Sequence, residues 1–265
     1  MTGEGAQHQG SARRPRARRG RPAVTIVSPH FDDAPLSLGQ SLLDGSLSAC
    51  RVRVEVVFGR SNFTRWFHPT RGRTLPVTVW RRSEEALAQA AFGYRVGTSS
   101  WEEVVLRTGE LDADVLLAAD TELDEDLVVE LTTWMRRLRG SGTTLLVPAG
   151  IGDHLDHRLV AEAGRRLAAE HPDRIGFYED RPYASLVGPD AVAARMASLR
   201  DDLGPLDVSG PVTERLHRLL RRCYPSQVDD LFVGAMDRDR STGATERVWF
   251  AAGEVPPWLQ LGRSR

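Results

Sequence analysis

Short apolar runs rich in β-branched residues alternate along the chain with longer segments whose apolar residues recur at helical spacing. The runs predict strands at residues 23–28, 51–58, 103–106, 143–147, 174–178 and 247–251. The longer segments predict helices at residues 35–47, 79–92, 127–138, 159–169, 191–203 and 212–223. Strands that alternate with helices are typical of a parallel sheet covered on both faces. We therefore predict an α/β fold.

The predicted elements run on without an internal repeat or a linker, which favours one domain over residues 23–265. The chain has 265 residues, of which 41% are hydrophobic and 27% charged, and its formal net charge is -1. That composition is ordinary for a globular protein, and one domain is the default at this length.

Residues 1–22 differ from the rest, because they hold six arginines, a single acidic residue and almost no large apolar side chains. Such a segment cannot offset its ordering entropy, so we predict a flexible Arg-rich tail. Nucleic acid is not an expected partner, since short basic runs are common and no aromatic residues are interleaved. We also expect a cytoplasmic protein without membrane insertion, because the chain lacks a signal peptide's apolar core and a run of about 20 apolar residues.

Two residue counts exclude classes of chemistry. Cys50 and Cys223 are too few for a disulfide framework and are expected to be buried apolar residues. All 35 basic residues are arginine. The absence of lysine excludes Schiff-base mechanisms and any P-loop that needs its lysine.

Polar clusters follow two of the predicted strands, at the point where each strand ends. Both clusters combine histidine with aspartate: His30, Asp32 and Asp33 after the first strand, and His154, Asp156 and His157 after the fourth. In an open α/β sheet the carboxyl ends of the strands form the ligand crevice. We therefore expect the two clusters to meet in space.

The two clusters resemble the signature of a known family, the PIG-L/LmbE-like zinc-dependent N-acetylglucosamine deacetylases. Residues 29–33 match its Pro-His-X-Asp-Asp motif, and residues 154–157 match its distal His-X-Asp-His motif. Weaker likenesses lie at residues 81–93, 177–183 and 224–227, so that the resemblance covers most of the chain outside its ends. The fold expected from it is a Rossmann-like three-layer sandwich, with a mostly parallel sheet flanked by helices.

The resemblance implies a role for each residue of the two motifs. His30, Asp33 and His157 would hold a divalent metal ion and leave positions open for water and substrate. Asp32 would be the general base that deprotonates the attacking water. His154 would stabilise the tetrahedral oxyanion or protonate the leaving amine.

Two further residues receive roles in the same way. Asp156 is expected to fix the tautomer of an imidazole. Arg81 is a candidate substrate contact, with a solvated helix face as the alternative. The expected metal is Zn²⁺, although two histidines and one carboxylate also suit Fe²⁺.

The predicted activity is hydrolysis of an N-acetyl group on an N-acetylglucosamine-type glycoconjugate or natural-product precursor. The expected partner is a small-molecule amide or amino-sugar substrate, and a homo-oligomer is left open. One departure from the family motif is Ala34, which stands where the commonest form has glutamate. This departure keeps two alternatives open: an amidase for another substrate, such as a thiol conjugate, and a catalytically degenerate metal- or sugar-binding protein.

Other residues of the weaker likenesses are left with a structural interpretation. Tyr224, Ser226 and Gln227 either line the site or fix a loop, and we favour the loop. Four aromatic residues either form a wall for sugar stacking or pack in the core, which is the more usual place for aromatic residues: Trp66, Phe67, Trp80 and Trp101.

Overall fold

The structure, a computed structural model, describes residues 21–66, 71–140, 142–256 and 258–259. Its strands, in chain order, are β1 (Ala23–Ser28), β2 (Arg51–Val56), β3 (Arg95–Thr98), β4 (Thr143–Pro148), β5 (Ile175–Tyr178), β6 (Leu203–Pro211) and β7 (Thr245–Ala251). They form one sheet in the order β3-β2-β1-β4-β5-β7-β6. The first five strands of this order are parallel, and β7 is antiparallel to both β5 and β6.

Helices cover the sheet on both faces. The α-helices are α1 (Asp33–Leu43), α2 (Thr74–Phe92), α3 (Val104–Thr108), α4 (Ala113–Leu116), α5 (Glu125–Leu138), α6 (Leu155–Glu170), α7 (Tyr183–Val187), α8 (Pro189–Leu199), α9 (Glu214–Cys223) and α10 (Asp230–Thr242). A 3₁₀ turn at Arg71–Arg73 precedes α2. The predicted three-layer α/β fold with a mostly parallel sheet is confirmed.

The sheet separates two hydrophobic cores, because successive side chains of a strand point to opposite faces. On β1, Ile26 joins the core beneath α1, α2 and α9, whereas Val27 joins the core beneath α5, α6 and α8. Both residues are fully buried. Burial on both faces explains why the central strands read as continuous apolar runs in the sequence.

One predicted strand is wrong. Residues 103–106 were expected to be extended, but α3 begins at Val104, and the third strand is Arg95–Thr98. β3 lies at the sheet edge and its side chains are not fully buried, so its sequence carries no apolar run. The paired valines at 104 and 105 imitate a strand, although Val104 and Leu106 are buried from a short helix.

Besides β3, the strand β6 and the helices α4, α7 and α10 were not predicted, and the bounds of several predicted elements differ. β6 contains two prolines and two glycines, which hide a strand that lies at the other sheet edge. The helix predicted at 35–47 ends at Leu43, and the helix predicted at 191–203 ends at Leu199.

The remaining expectations on organisation concern the chain ends and the membrane. Most of the predicted Arg-rich tail, residues 1–20, lies outside the described residues, and the single domain over 23–265 stays a prediction. Among the residues that the structure describes, no helix combines the length and the apolar character needed to cross a membrane.

Candidate active site

The loops after β1 and β4 bring the two predicted clusters together. β1 and β4 are neighbouring parallel strands, so their carboxyl ends lie at the same sheet edge, where the strand order reverses. One ligand atom from each of His30, Asp33 and His157 lies within 4.8 Å of the other two. These are the three residues implied as metal ligands.

The separations between these atoms suit a metal ion. Asp33 Oδ2 lies 3.3 Å from His30 Nδ1 and 3.4 Å from His157 Nε2. Ligand atoms about 2.0–2.2 Å from a tetrahedral ion stand roughly 3.3–3.5 Å from one another. The donor set and the two separations from Asp33 therefore fit a zinc-type site.

Hydrogen bonds hold the turn between β1 and α1. Ser28 Oγ donates to the carbonyl of His30 at 2.6 Å and accepts from the backbone N–H of Ala34 at 3.0 Å. The backbone N–H of His30 donates to Asp33 Oδ2 at 2.6 Å. These bonds fix Asp33 in the first turn of α1, so its carboxylate faces the imidazoles before any ion is bound.

Asp156, the residue expected to fix an imidazole tautomer, contacts His30. Asp156 is fully buried, and its Oδ2 lies 2.9 Å from His30 Nε2 and accepts from the backbone N–H of Val104 at 2.9 Å. Arg107 donates to its Oδ1 at 2.8 Å. Because this carboxylate holds Nε2, Nδ1 is the nitrogen of His30 that faces Asp33, and a metal ion that displaces its proton would bind there.

His157 is oriented in the same manner by Asp180. His157 Nδ1 lies 2.7 Å from Asp180 Oδ1, while Asp180 Oδ2 accepts from the backbone N–H of Ile151 at 3.1 Å. Both side chains are buried. Because Asp180 holds Nδ1, Nε2 is the nitrogen of His157 that faces Asp33, and a metal ion that displaces its proton would bind there.

The electrostatics of these ligands favour a cation. Burial lowers the pKa of His30, but the carboxylates of Asp33 and Asp156 outweigh it and raise that pKa to about 9. The pKa of His157 is likewise raised well above its usual value, because Asp33 and Asp180 outweigh burial. Burial opposes ionisation of Asp33, yet the two imidazoles hold its pKa well below the usual range. An enclosed negative potential of this kind suits a divalent ion.

Asp32, the candidate base, is paired with Arg81. Arg81 Nη2 lies 2.6 Å from Asp32 Oδ1, and both side chains are buried. Burial raises the pKa of Asp32, and Arg81 offsets part of that rise. Arg81 is 3% exposed, so the alternative of a solvated helix face is wrong. Asp32 directs its carboxylate to Arg81 rather than to the start of α1.

His154 stands at the start of α6, beside the metal-ligand candidates. Its ring centroid is 5.0 Å from that of His30 and 5.2 Å from that of His157. His154 Nδ1 accepts from the backbone N–H of Asp156 at 3.2 Å. Burial and the neighbouring imidazoles lower its pKa to about 3. His154 is therefore neutral, with its proton on Nε2, and can donate one hydrogen bond.

Comparison with known proteins decides the family. The chain is 32% identical over 263 residues to a 2'-N-acetylparomamine deacetylase of Streptomyces fradiae, covering 93% of this chain and 87% of the relative. The chain belongs to the PIG-L/LmbE-like N-deacetylase family. A second 2'-N-acetylparomamine deacetylase, from Niallia circulans, is 26% identical over 190 residues, covering 61% of this chain and 67% of that protein.

Solved structures agree with the fold of this deacetylase. The A40926 pseudoaglycone deacetylase Dbv21 superposes with a TM-score of 0.62 and 22% sequence identity, covering 88% of this chain and 97% of that one. No protein-family model matches the chain.

The candidate site opens into a cavity of about 240 Å³. Its floor carries the two histidine–aspartate clusters, with Arg81 and Glu103 beside them. Its walls are largely apolar and include Phe63, Val104, Leu117, Tyr183 and Phe232. A polar floor under apolar walls is the usual form of a small-molecule site.

Beneath the site, Glu85 lies between two tyrosines. Tyr94 donates to Glu85 Oε1 at 2.8 Å, and the Tyr224 hydroxyl lies 2.6 Å from Glu85 Oε2 and 3.1 Å from the carbonyl of Phe31. Burial raises the pKa of Glu85 to about 8. The Tyr224 contact ties this cluster to the residue before Asp32, which agrees with the structural role favoured for Tyr224.

Of the other two residues of that segment, Ser226 fixes a loop, whereas Gln227 lines the cavity. Ser226 donates through both its backbone N–H and its hydroxyl to the buried carboxylate of Glu84, which fixes the loop. Gln227 lines the catalytic cavity and donates to the carbonyl of Phe63 at 3.3 Å.

The four aromatic residues do not form one wall. Trp66 and Trp80 pack edge to face at a centroid distance of 5.5 Å, and Trp101 packs separately against Trp134. Phe67 lies outside the described residues.

Sequence reasoning missed three polar residues around the ligands: Arg107, Asp180 and Glu103. Asp180 follows the end of β5 at the same sheet edge, so the rule that found the two motifs could have found it. Arg107 carried no such signal, because α3 was mistaken for a strand.

Proposed function

We propose that the protein is a zinc-dependent hydrolase that removes the N-acetyl group from an amino sugar in a natural-product precursor. The observation that carries the proposal is the cluster of His30, Asp33 and His157 ligand atoms, with Asp32 and His154 beside it in one cavity. The 2'-N-acetylparomamine deacetylases among its relatives support an acetylated amino sugar as the substrate.

The metal would be held by His30 Nδ1, Asp33 Oδ2 and His157 Nε2, whose spacing fits a tetrahedral site. A divalent ion there supplies Lewis-acid polarisation of the amide carbonyl and acidifies water. The same donors suit Fe²⁺, so the identity of the metal needs to be measured.

Asp32 takes the proton of the attacking water in this proposal. Burial raises its pKa, which makes it a stronger base than an exposed aspartate, and Arg81 offsets part of that rise. A base of this kind typically contributes about 10²–10⁴-fold to the rate. Arg81 holds one carboxylate oxygen and so fixes the direction of the other.

His154 stabilises the oxyanion that forms when water adds to the amide. Because its Nδ1 accepts a backbone hydrogen bond, its Nε2–H is the group available for donation. Removing one such donor typically lowers kcat by about 10²–10³-fold. The lowered pKa of His154 makes the other expected role, that of a proton donor to the leaving amine, the less favourable one.

The test measures metal content and acetate release together. Wild type purified without added metal should carry near-equimolar metal and release acetate from 2'-N-acetylparomamine or an N-acetylglucosamine compound. His157→Ala should lose both, and Asp32→Asn should keep the metal while losing activity. His171→Ala, at the far end of α6, is the matched control and should behave as wild type.

Two results would overturn the proposal. A wild-type protein that takes up no metal after reconstitution would remove the metal site. A fully active Asp32→Asn variant would remove the assigned base.

A further inference from the structure

Two indole rings lie at the surface beside the catalytic cavity. Trp66 is 44% exposed and Trp80 is 48% exposed. They line a second cavity of about 460 Å³ together with Thr64, Arg73, Pro76 and Val77. Large apolar side chains gathered at one surface site are typical of a binding surface.

The two tryptophans restrict each other's orientation at the surface. Trp66 packs edge to face against Trp80. An aromatic surface fixed in this manner loses little conformational entropy when a ligand covers it.

The second cavity shares a wall with the catalytic cavity. Along the extended segment before Trp66, Phe63 and Arg65 line the catalytic cavity, whereas Thr64 and Trp66 line the second one. On α2, Arg81 lines the catalytic cavity, and Trp80, the residue before it, lines the second cavity. Phe63, which lines the catalytic cavity and directly precedes Thr64 of the second cavity in the sequence, is 44% exposed.

We propose that the cavity of Trp66 and Trp80 is a carbohydrate subsite, which binds the ring adjacent to the one that carries the N-acetyl group. The inference rests on the proposed function, because the occupant is the remainder of that substrate. The catalytic cavity of about 240 Å³ is smaller than the roughly 300–1,000 Å³ of sites for larger ligands. A second ring therefore lies outside it. The C–H face of a sugar ring stacks on an indole, while its hydroxyls remain in water.

The test compares a two-ring substrate, 2'-N-acetylparomamine, with the one-ring N-acetylglucosamine. Trp66→Ala should lower the ratio of their kcat/KM values about three- to tenfold, which is the size of one aromatic contact. Trp66→Phe, which keeps a ring, should lower it less. Trp101→Ala is the matched control, because Trp101 also belongs to an edge-to-face tryptophan pair and is absent from the described residues that line either cavity.

Calorimetry of the same two sugars, with Asp32→Asn and with the double variant Asp32→Asn/Trp66→Ala, gives a readout that does not need turnover. Weaker binding of the two-ring sugar alone supports the subsite. Equal loss for both sugars, or no loss, overturns it. If wild type hydrolyses neither sugar, the proposed function fails, and the binding comparison on wild type and Trp66→Ala still decides the subsite.

Discussion

Glu85 supplies a prediction about stability that is independent of catalysis. Two hydroxyl hydrogens, from Tyr94 and Tyr224, face three acceptors: the two oxygens of Glu85 and the carbonyl of Phe31. Tyr94 donates to Glu85 Oε1, and the Tyr224 hydroxyl donates to Glu85 Oε2 at 2.6 Å, closer than to the carbonyl of Phe31 at 3.1 Å. Burial raises the pKa of Glu85 to about 8, although the hydrogen bonds from Tyr224 and Tyr94 lower it, so the buried carboxyl is mostly neutral at pH 7.

The magnitude follows from the two pKa values. In the folded protein the pKa of Glu85 is about 8, against the ordinary 4.5. Since the folded pKa is the higher one, the stabilising contribution is complete below about pH 4.5 and is lost as the pH rises through 8. The difference, at about 1.4 kcal/mol per pH unit, sets an upper bound of roughly 5 kcal/mol.

Glu85→Gln tests this reasoning, because glutamine has the shape of the protonated acid at every pH. Urea unfolding of wild type and variant should give similar free energies at pH 5. At pH 9 the variant should be the more stable by several kcal/mol, within the bound of about 5. Free energies that stay parallel from pH 5 to pH 9 would refute a proton on Glu85.

Two further predictions concern Asp180, whose carboxylate contacts His157, and the packing of Gly176 in the sheet. Asp180→Asn should weaken metal binding about 10–100-fold, because His157 loses its orienting carboxylate; competition with a coloured chelator measures this, with the exposed Asp173→Asn as the control. Gly176→Ala should cost about 1–3 kcal/mol in urea unfolding, because a Cβ there would lie 2.4 Å from the ring of Phe250. Addition of Phe250→Leu to that variant should recover part of the loss, and a variant as stable as wild type would contradict the packing.

The parts of the fold that the sequence predicted are those with strong periodicity and burial. β1 and β4 were found because both are buried on both faces, and most of α2 because its apolar residues recur at helical spacing up to Gly93. β3 and β6 were missed because edge strands are half-exposed and tolerate glycine and proline. The local sequence pattern predicts a strand poorly when the strand is held by tertiary contacts and is not buried on both faces.

Some residues of the candidate site could also be predicted from the sequence, and others could not. Residues in the loops after β1 and β4 could be predicted, because topology alone brings those loops together. The pairing of Arg81 with Asp32 could not be predicted, since helical periodicity does not tell which polar residue of α2 is buried. The tautomer of His154 also needed coordinates, because it depends on one backbone N–H of the following turn.

The long sequence separation between the contacts of the site bears on folding kinetics. His30 and Asp156 are 126 positions apart in the chain, so their contact needs β1 and β4 to have paired. Closing so long a loop is slow compared with local helix formation. A metal ion therefore cannot template early folding here, as it does in a zinc finger, whose ligands are close in sequence. Metal uptake during refolding should instead follow the assembly of the central strands and mark its completion.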